Sequence, residues 1–132
     1  MMARITVYLS GSIAAYKGVE VVRGLQKAGH DVRVVMTAAA TKLVGPATLN
    51  ALTKYPVLTD LWNDQDRPIP HIELADWTEL ALVVPASANI LAKMANGIAD
   101  DAASTTLLAT AAPKLVAPAM NRQMWGNSAT QR

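Results

Sequence analysis

Apolar positions along this chain fall into short β-rich runs that alternate with stretches of helical spacing. Ile5, Val7 and Leu9 alternate with Thr6, Tyr8 and Ser10, predicting a strand that ends at Gly11. Ala15, Val19, Val22 and Leu25 then recur at three- and four-residue intervals. They predict a helix over 14–28, stopped by Gly29 in the left-handed conformation glycine adopts most easily. Residues 31–37, DVRVVMT, read as a second strand, and a helix between two such strands implies a parallel βαβ unit. The stretch 38–53 is helical in composition but broken at Gly45-Pro46, so two short helices are expected.

Residues 56–62 read as a short extended piece, and 63–70, NDQDRPIP, as an exposed loop before HIELADW at 71–77. The continuous branched run LALVVP at 80–85 predicts a strand buried on both faces and ended by Pro85. Ala86 to Asn89 starts the next helix, which continues through Leu91, Met94 and Ala95; Asp100-Asp101 opens another, where acidic residues meet early N–H groups. Lys114 to Ala117 is a fourth strand, left through Pro118-Ala119-Met120-Asn121. Strands and helices alternate throughout. The fold class is therefore α/β: a three-layer α/β/α, Rossmann-like parallel sheet with helices on both faces.

In such sheets ligands bind beyond the carboxyl ends of the strands. Gly11-Ser12, Thr37, Ser87 to Asn89 and Ala119 to Asn121 all belong there, each bringing a hydroxyl, an amide or open backbone. A strand feeding a helix through a Gly-Ser turn leaves backbone N–H groups aimed at one spot, which suits a phosphate. A dinucleotide site would show G-x-G-x-x-G in that turn and an acidic residue ending the second strand. Here Gly11 stands alone and Thr37 ends the strand, so NAD is disfavoured and a mononucleotide fits better. Thr37 and Asn121 are equally suited to capping the helices that follow them.

Composition narrows the field further. At 132 residues the chain is one domain, expected to span 1–132. Only 17% of residues are charged, against about a quarter in an average domain, and alanine fills 24 positions, so other subunits are expected to cover part of the surface. A net charge of +2 without a basic cluster gives no electrostatic case for nucleic acid. Without cysteine there is neither a disulfide nor a thiolate metal site. No apolar run is long enough to span a bilayer, and the cytoplasm is the default expectation.

Six segments, in order, carry a resemblance: GSIAAYK at 11–17, VVMT at 34–37, HIELADW at 71–77, PASAN at 85–89, GIADD at 97–101 and PAMNRQMW at 118–125. With them the chain resembles the homo-oligomeric flavin-containing cysteine decarboxylases, on their phosphopantothenoylcysteine decarboxylase branch. The resemblance implies a flavoprotein-type fold and an FMN held at a subunit interface of a trimer or a dodecamer of trimers. It places Gly11, Ser12, Ile13 and Thr37 on the flavin phosphate, and Ser87, Ala88, Asn89, Ile90 and Ala119 on a second flavin-contacting turn. Similar proteins have Asn-Thr where this chain has Asn89-Ile90. His71 and Asn121 correspond to the family's catalytic His and substrate-carboxylate Asn, with Met120 beside the substrate.

The chemistry suits both residues. Oxidising a cysteinyl side chain to a thioaldehyde needs a base near the thiol, and imidazole titrates near neutrality. The thiocarbonyl then accepts the electrons released with CO₂, while an amide holds the departing carboxylate without a strong charge. The resemblance also implies a substrate-covering C-terminal segment with a proton-donating cysteine. Residues 1–132 are expected to lack it, which would leave the reductive half of the reaction incomplete. Met94, Met120 and Met124 are expected to pack, and Trp77 and Trp125 to line subunit contacts. A non-catalytic flavin-binding or regulatory subunit on the same scaffold is the alternative. A flavodoxin-like electron carrier gives His71 and PAMN no task, and PAMN with HIELADW argues against a flavin prenyltransferase.

Overall fold

The computed structural model describes residues 2–61 and 70–132. At its centre lies a parallel sheet of four strands, β1 (Arg4–Leu9), β2 (Asp31–Met36), β3 (Leu80–Ala86) and β4 (Lys114–Pro118), in the order β2-β1-β3-β4. Helices cover both faces. α1 (Ala15–Lys27), α2 (Ala38–Thr41) and α3 (Pro46–Thr53) follow the first two strands. Val22, Ala40 and Leu49 from these helices bury Ile5, Val7, Leu9, Val32, Val34 and Met36 on one face. On the other, α4 (Pro70–Trp77), α5 (Ala88–Asn96) and α6 (Ala102–Ala109) bring Leu74, Ile90, Ala102 and Leu107 onto Tyr8, Val35, Ala81 and Val83. Two short helices, α7 (Arg122–Gly126) and α8 (Ser128–Gln131), follow β4.

The strand alternation has a different meaning from the usual one. Thr6, Tyr8 and Ser10 are as buried as the aliphatic residues between them, because helices lie on both sides of β1. Thr6 is accommodated by a 2.6 Å hydrogen bond between its hydroxyl and that of Thr78. Gly18 lets α1 lie close on the sheet, since a Cβ there would strike the Leu9 side chain and come within 2.8 Å of the Val84 carbonyl.

Two boundaries differ from expectation. β3 does not stop at Pro85 but continues to Ala86, with its pairing to β4 shifted between Val83 and Ala86. Proline cannot donate to the ladder, so the strand passes it at an irregularity rather than ending. Residues 71–77, to which no element is assigned from the sequence, form the helix α4 from Pro70, a residue suited to a first helical turn. The expected break at Gly45-Pro46 does separate α2 from α3, and Gly29 stands at φ +93°. The extended piece after Pro56 contributes one parallel bridge, Val35 with Leu58, and the predicted loop 63–70 lies outside the described residues except for Pro70 at the start of α4. Among the described residues no helix is long and apolar enough to cross a membrane.

Candidate functional site at the strand ends

Strand order reverses at β1: the chain runs outward to β2, then returns to the other side as β3. Such a switch point opens a crevice at the carboxyl ends of the strands. Ser10 closes its floor. Its buried hydroxyl donates to the Pro85 carbonyl at 2.6 Å and accepts from the Ser87 N–H at 2.8 Å. One side chain thus fixes the exit of β1 against the exit of β3. Its sequence signal is only a polar residue in the last place of the alternating strand, which does not reveal the junction it makes.

On the β2 side the first loop and α2 lie side by side. A Cβ on Gly11 would collide with that of Ala39, so glycine is what permits the approach. Ser12 Oγ accepts from the Ala14 N–H at 3.2 Å, shaping the turn into α1. The N–H groups of Gly11 and Ile13 meet no acceptor among the described residues. Thr37 does cap α2, accepting from the Ala40 N–H at 3.2 Å, and its hydroxyl proton remains available to donate. Ile13 is 88% exposed, and Tyr16 one helical turn on is also exposed.

On the β3 side Ser87 caps α5, its Oγ accepting from the Ile90 N–H at 3.3 Å. Ala88 is half-buried and Asn89 exposed at the start of that helix. Ile90 is different. Its side chain is 1% exposed within the core and its N–H is taken by Ser87, so it offers no free group to a ligand and supports the turn by packing. The exchange of Thr for Ile relative to similar proteins is thus a change inside the core. A groove of about 850 Å³ continues from Asn89 between α5 and the last two helices, with Pro118 and Trp125 on its wall.

On the β4 side the Ala119 N–H donates to the Ala86 carbonyl at 3.0 Å, extending the sheet by one bond. Met120 is half-buried beside a cavity of about 300 Å³ shared with Pro118, Ala119 and Trp125. Asn121 caps α7, with Oδ1 accepting from the Met124 N–H at 2.8 Å. That bond fixes the amide plane and turns Nδ2, a donor only, into its free end. The cap role and a carboxylate-holding role are thus compatible in one side chain. Met124 is 46% exposed and is not a packing residue among the described residues.

His71 comes from α4, whose last residue lies at the base of the sheet. There the Trp77 carbonyl accepts from Arg4 Nε at 2.8 Å, and the Glu79 N–H donates to the Arg4 carbonyl at 2.8 Å. His71 sits in the first turn, at the end of the helix away from that base. Its Nδ1 is shut away from solvent with no hydrogen-bond partner among the described residues. Buried polar atoms of this kind are rare and mark a place for a missing partner. Tyr8, below on β1, has a buried phenol that also lacks a partner, and burial pushes its proton affinity well above the usual range. Trp77, expected at a subunit contact, instead packs inside the chain against Arg33.

The chain belongs to the Flavoprotein family, whose model matches residues 2–132. It is 46% identical over 125 residues to the Coenzyme A biosynthesis bifunctional protein CoaBC of Bacillus subtilis, covering 94% of this chain and 31% of that protein. The chain thus spans about a third of the length of such relatives. Among solved structures, the FMN-dependent cysteine decarboxylase SpaF superposes with a TM-score of 0.92 at 37% identity, covering 98% of this chain and 75% of that one. A PPC decarboxylase with a cysteine-to-serine substitution, complexed with pantothenoylaminoethenethiol, superposes with a TM-score of 0.85 at 31% identity, covering 100% and 75%.

Proposed function

We propose that this protein is an FMN-dependent decarboxylase of a cysteinyl thiol, acting on 4′-phosphopantothenoylcysteine in coenzyme A biosynthesis. The observation that carries the reading is the crevice itself, where four adjacent strand ends spaced over about 15 Å converge and the first loop leaves the Gly11 and Ile13 N–H groups unpaired among the described residues. The match to FMN-dependent and PPC decarboxylases over nearly the whole chain supports the chemistry. The unpaired N–H groups of Gly11 and Ile13, with the Ser12 and Thr37 hydroxyls, suit the phosphate of FMN. Ala88, Asn89 and Ala119 would bound its ring on the β3 side. FMN, when bound, supplies the two-electron acceptor for the thiol.

The remaining work falls to side chains of this chain. His71 accepts the proton of the substrate sulfur at Nε2, its Nδ1 being enclosed within the protein. Asn121 directs Nδ2 to the carboxylate while its Oδ1 stays on the Met124 N–H. Met120 forms the apolar wall beside it. Exposed Ile13 and Tyr16 at the mouth of the crevice fit a second subunit packed over the flavin, in a trimer or a dodecamer of trimers.

Anaerobic mixing of the FMN-loaded protein with phosphopantothenoylcysteine tests the reading. Flavin absorbance is expected to bleach with release of CO₂, and His71→Asn to abolish bleaching while flavin stays bound. Bound flavin that no cysteinyl thiol bleaches in the parent would show a non-catalytic flavin-binding subunit instead. Equal bleaching in His71→Asn would remove His71 from the chemistry.

A further inference from the structure

The Arg33 side chain projects from β2 into a corner formed by two aromatic rings. Its guanidinium carbon lies 4.3 Å from the Tyr55 ring centroid and 4.4 Å from that of Trp77. The two rings are themselves 6.3 Å apart and tilted by 60°. Arg33 Nη1 faces Glu73 Oε1 at 3.9 Å, and the Tyr55 hydroxyl donates to Asp31 Oδ2 at 3.1 Å. The Arg33 side chain is only 15% exposed, and its Nε is buried without a hydrogen-bond partner. A guanidinium enclosed in this way is held by the two ring faces and the carboxylate together.

The placement of those partners is informative. Glu73 and Trp77 lie four residues apart on α4, on one side of the helix. Arg33 therefore grips α4 twice, once in the first turn, two residues from His71, and once at its last residue. Two grips on one helix fix both its rotation and its slide along the sheet. Tyr55, held by Asp31 on the same strand, closes the clamp from outside. A lysine could match the charge but not the broad guanidinium that reaches both ring faces and the carboxylate at once.

We propose that Arg33, with Tyr55 and Trp77, is a positioning clamp that sets the angle and height at which His71 enters the crevice. The proposal rests on the reading of His71 as the residue acting on substrate. The clamp touches neither substrate nor flavin; it acts through α4. Misplacing a proton acceptor by about 1 Å costs up to about a hundredfold in rate. A clamp that only held the fold together would change melting and flavin content, and leave the rate per bound flavin alone.

The test uses the FMN-loaded protein, with flavin bleaching normalised to bound flavin at a temperature well below melting. Arg33→Met and Arg33→Lys are expected to slow bleaching on the order of tenfold to a hundredfold, with FMN affinity held within about twofold. Trp77→Phe, which keeps a ring face, is expected to stay near the parent, and Trp77→Leu to behave like Arg33→Met. The second readout needs no turnover. The His71 Hε1 resonance, assigned by its loss in His71→Asn, is expected to move in Arg33→Lys and not in Trp77→Phe. A rate per bound flavin within about twofold of the parent in both Arg33 variants overturns the proposal. Should the parent fail to bleach, the functional reading fails by itself, and the resonance still decides the clamp: unmoved in Arg33→Lys, it overturns it.

Discussion

Ser10 shows how much one small side chain can hold. It is 1% exposed, and its hydroxyl both donates and accepts across the β1–β3 junction. Ser10→Ala strands the Ser87 N–H, and a buried donor left without an acceptor costs about 1–3 kcal/mol. We expect a lower melting temperature and weaker FMN binding together, measured by thermal unfolding and flavin titration; Ser10→Thr, which keeps the hydroxyl, should lose less of both. Asn121 permits a cleaner separation, because its two amide atoms do different things. Asn121→Asp keeps a good cap on the Met124 N–H while replacing the Nδ2 donor with a negative charge. Stability should change by less than about 0.5 kcal/mol. Bleaching by substrate should fall on the order of a hundredfold, as a carboxylate now faces a carboxylate. If unfolding and bleaching decline in proportion, Asn121 is a cap and nothing more.

Among the elements, α5 and α6 are joined by an ion cluster. Lys93 Nζ lies 2.8 Å from Asp100 Oδ1 and 3.4 Å from Asp101 Oδ2, and Asp101 caps α6 in a reciprocal box with Ser104. The hydrogen bond from Lys93 holds the Asp100 carboxyl below its ordinary value of 3.8. A depressed carboxyl stabilises the fold above its unfolded value and loses that contribution as pH falls through the folded one. The same bond raises the Lys93 ammonium, whose contribution is complete below 10.5 and lost as pH climbs past its folded value. Asp100→Asn should therefore melt below the parent at neutral pH, with the gap closing under pH 4, as thermal unfolding at stepped pH would show. An unchanged gap down to the lowest pH would mean that the pair does not contribute through charge. The acidic start of α6 was legible in Asp100-Asp101, but Lys93 was not: only the turn at Gly97, φ +66°, brings it back. Strand and helix order, the Gly29 stop and the break at Gly45-Pro46 were all legible, since each depends on local propensity. α4 was not, because its hold on the sheet is tertiary: Thr110 Oγ1 donates to the Ala75 carbonyl, and Arg33 grips its outer side. The burial of the Ile90 side chain was not legible for a similar reason, since the third residue of α5 turns inward to the core.

At the scale of the molecule, the apolar residues left outside the core include a pair to which the proposed assembly gives a partner. Ile13 is 88% and Tyr16 58% exposed beside the crevice. β4, at the sheet edge, is exposed along most of its length, with Leu115 at 59%. A scattered exposed aliphatic needs no explanation, but an apolar pair one turn apart at the mouth of a ligand crevice is where the proposed assembly would make its contact. Ile13→Asp discriminates between the two. In an isolated chain so exposed a position should tolerate the charge within about 0.5 kcal/mol. In an assembly whose subunits close over the flavin, the same charge is buried at an interface and opposes association. We expect the parent to bind FMN and to sediment as a trimer or larger, three chains of 14.0 kDa at the least. Ile13→Asp should dissociate that assembly and release flavin in parallel, with the far-ultraviolet circular dichroism of the chain unchanged. Light scattering coupled to absorbance at the flavin band measures both together. A flavin-replete parent monomer, or an Ile13→Asp variant with full assembly and full flavin, would place the flavin within a single chain and leave Ile13 and Tyr16 as ordinary surface.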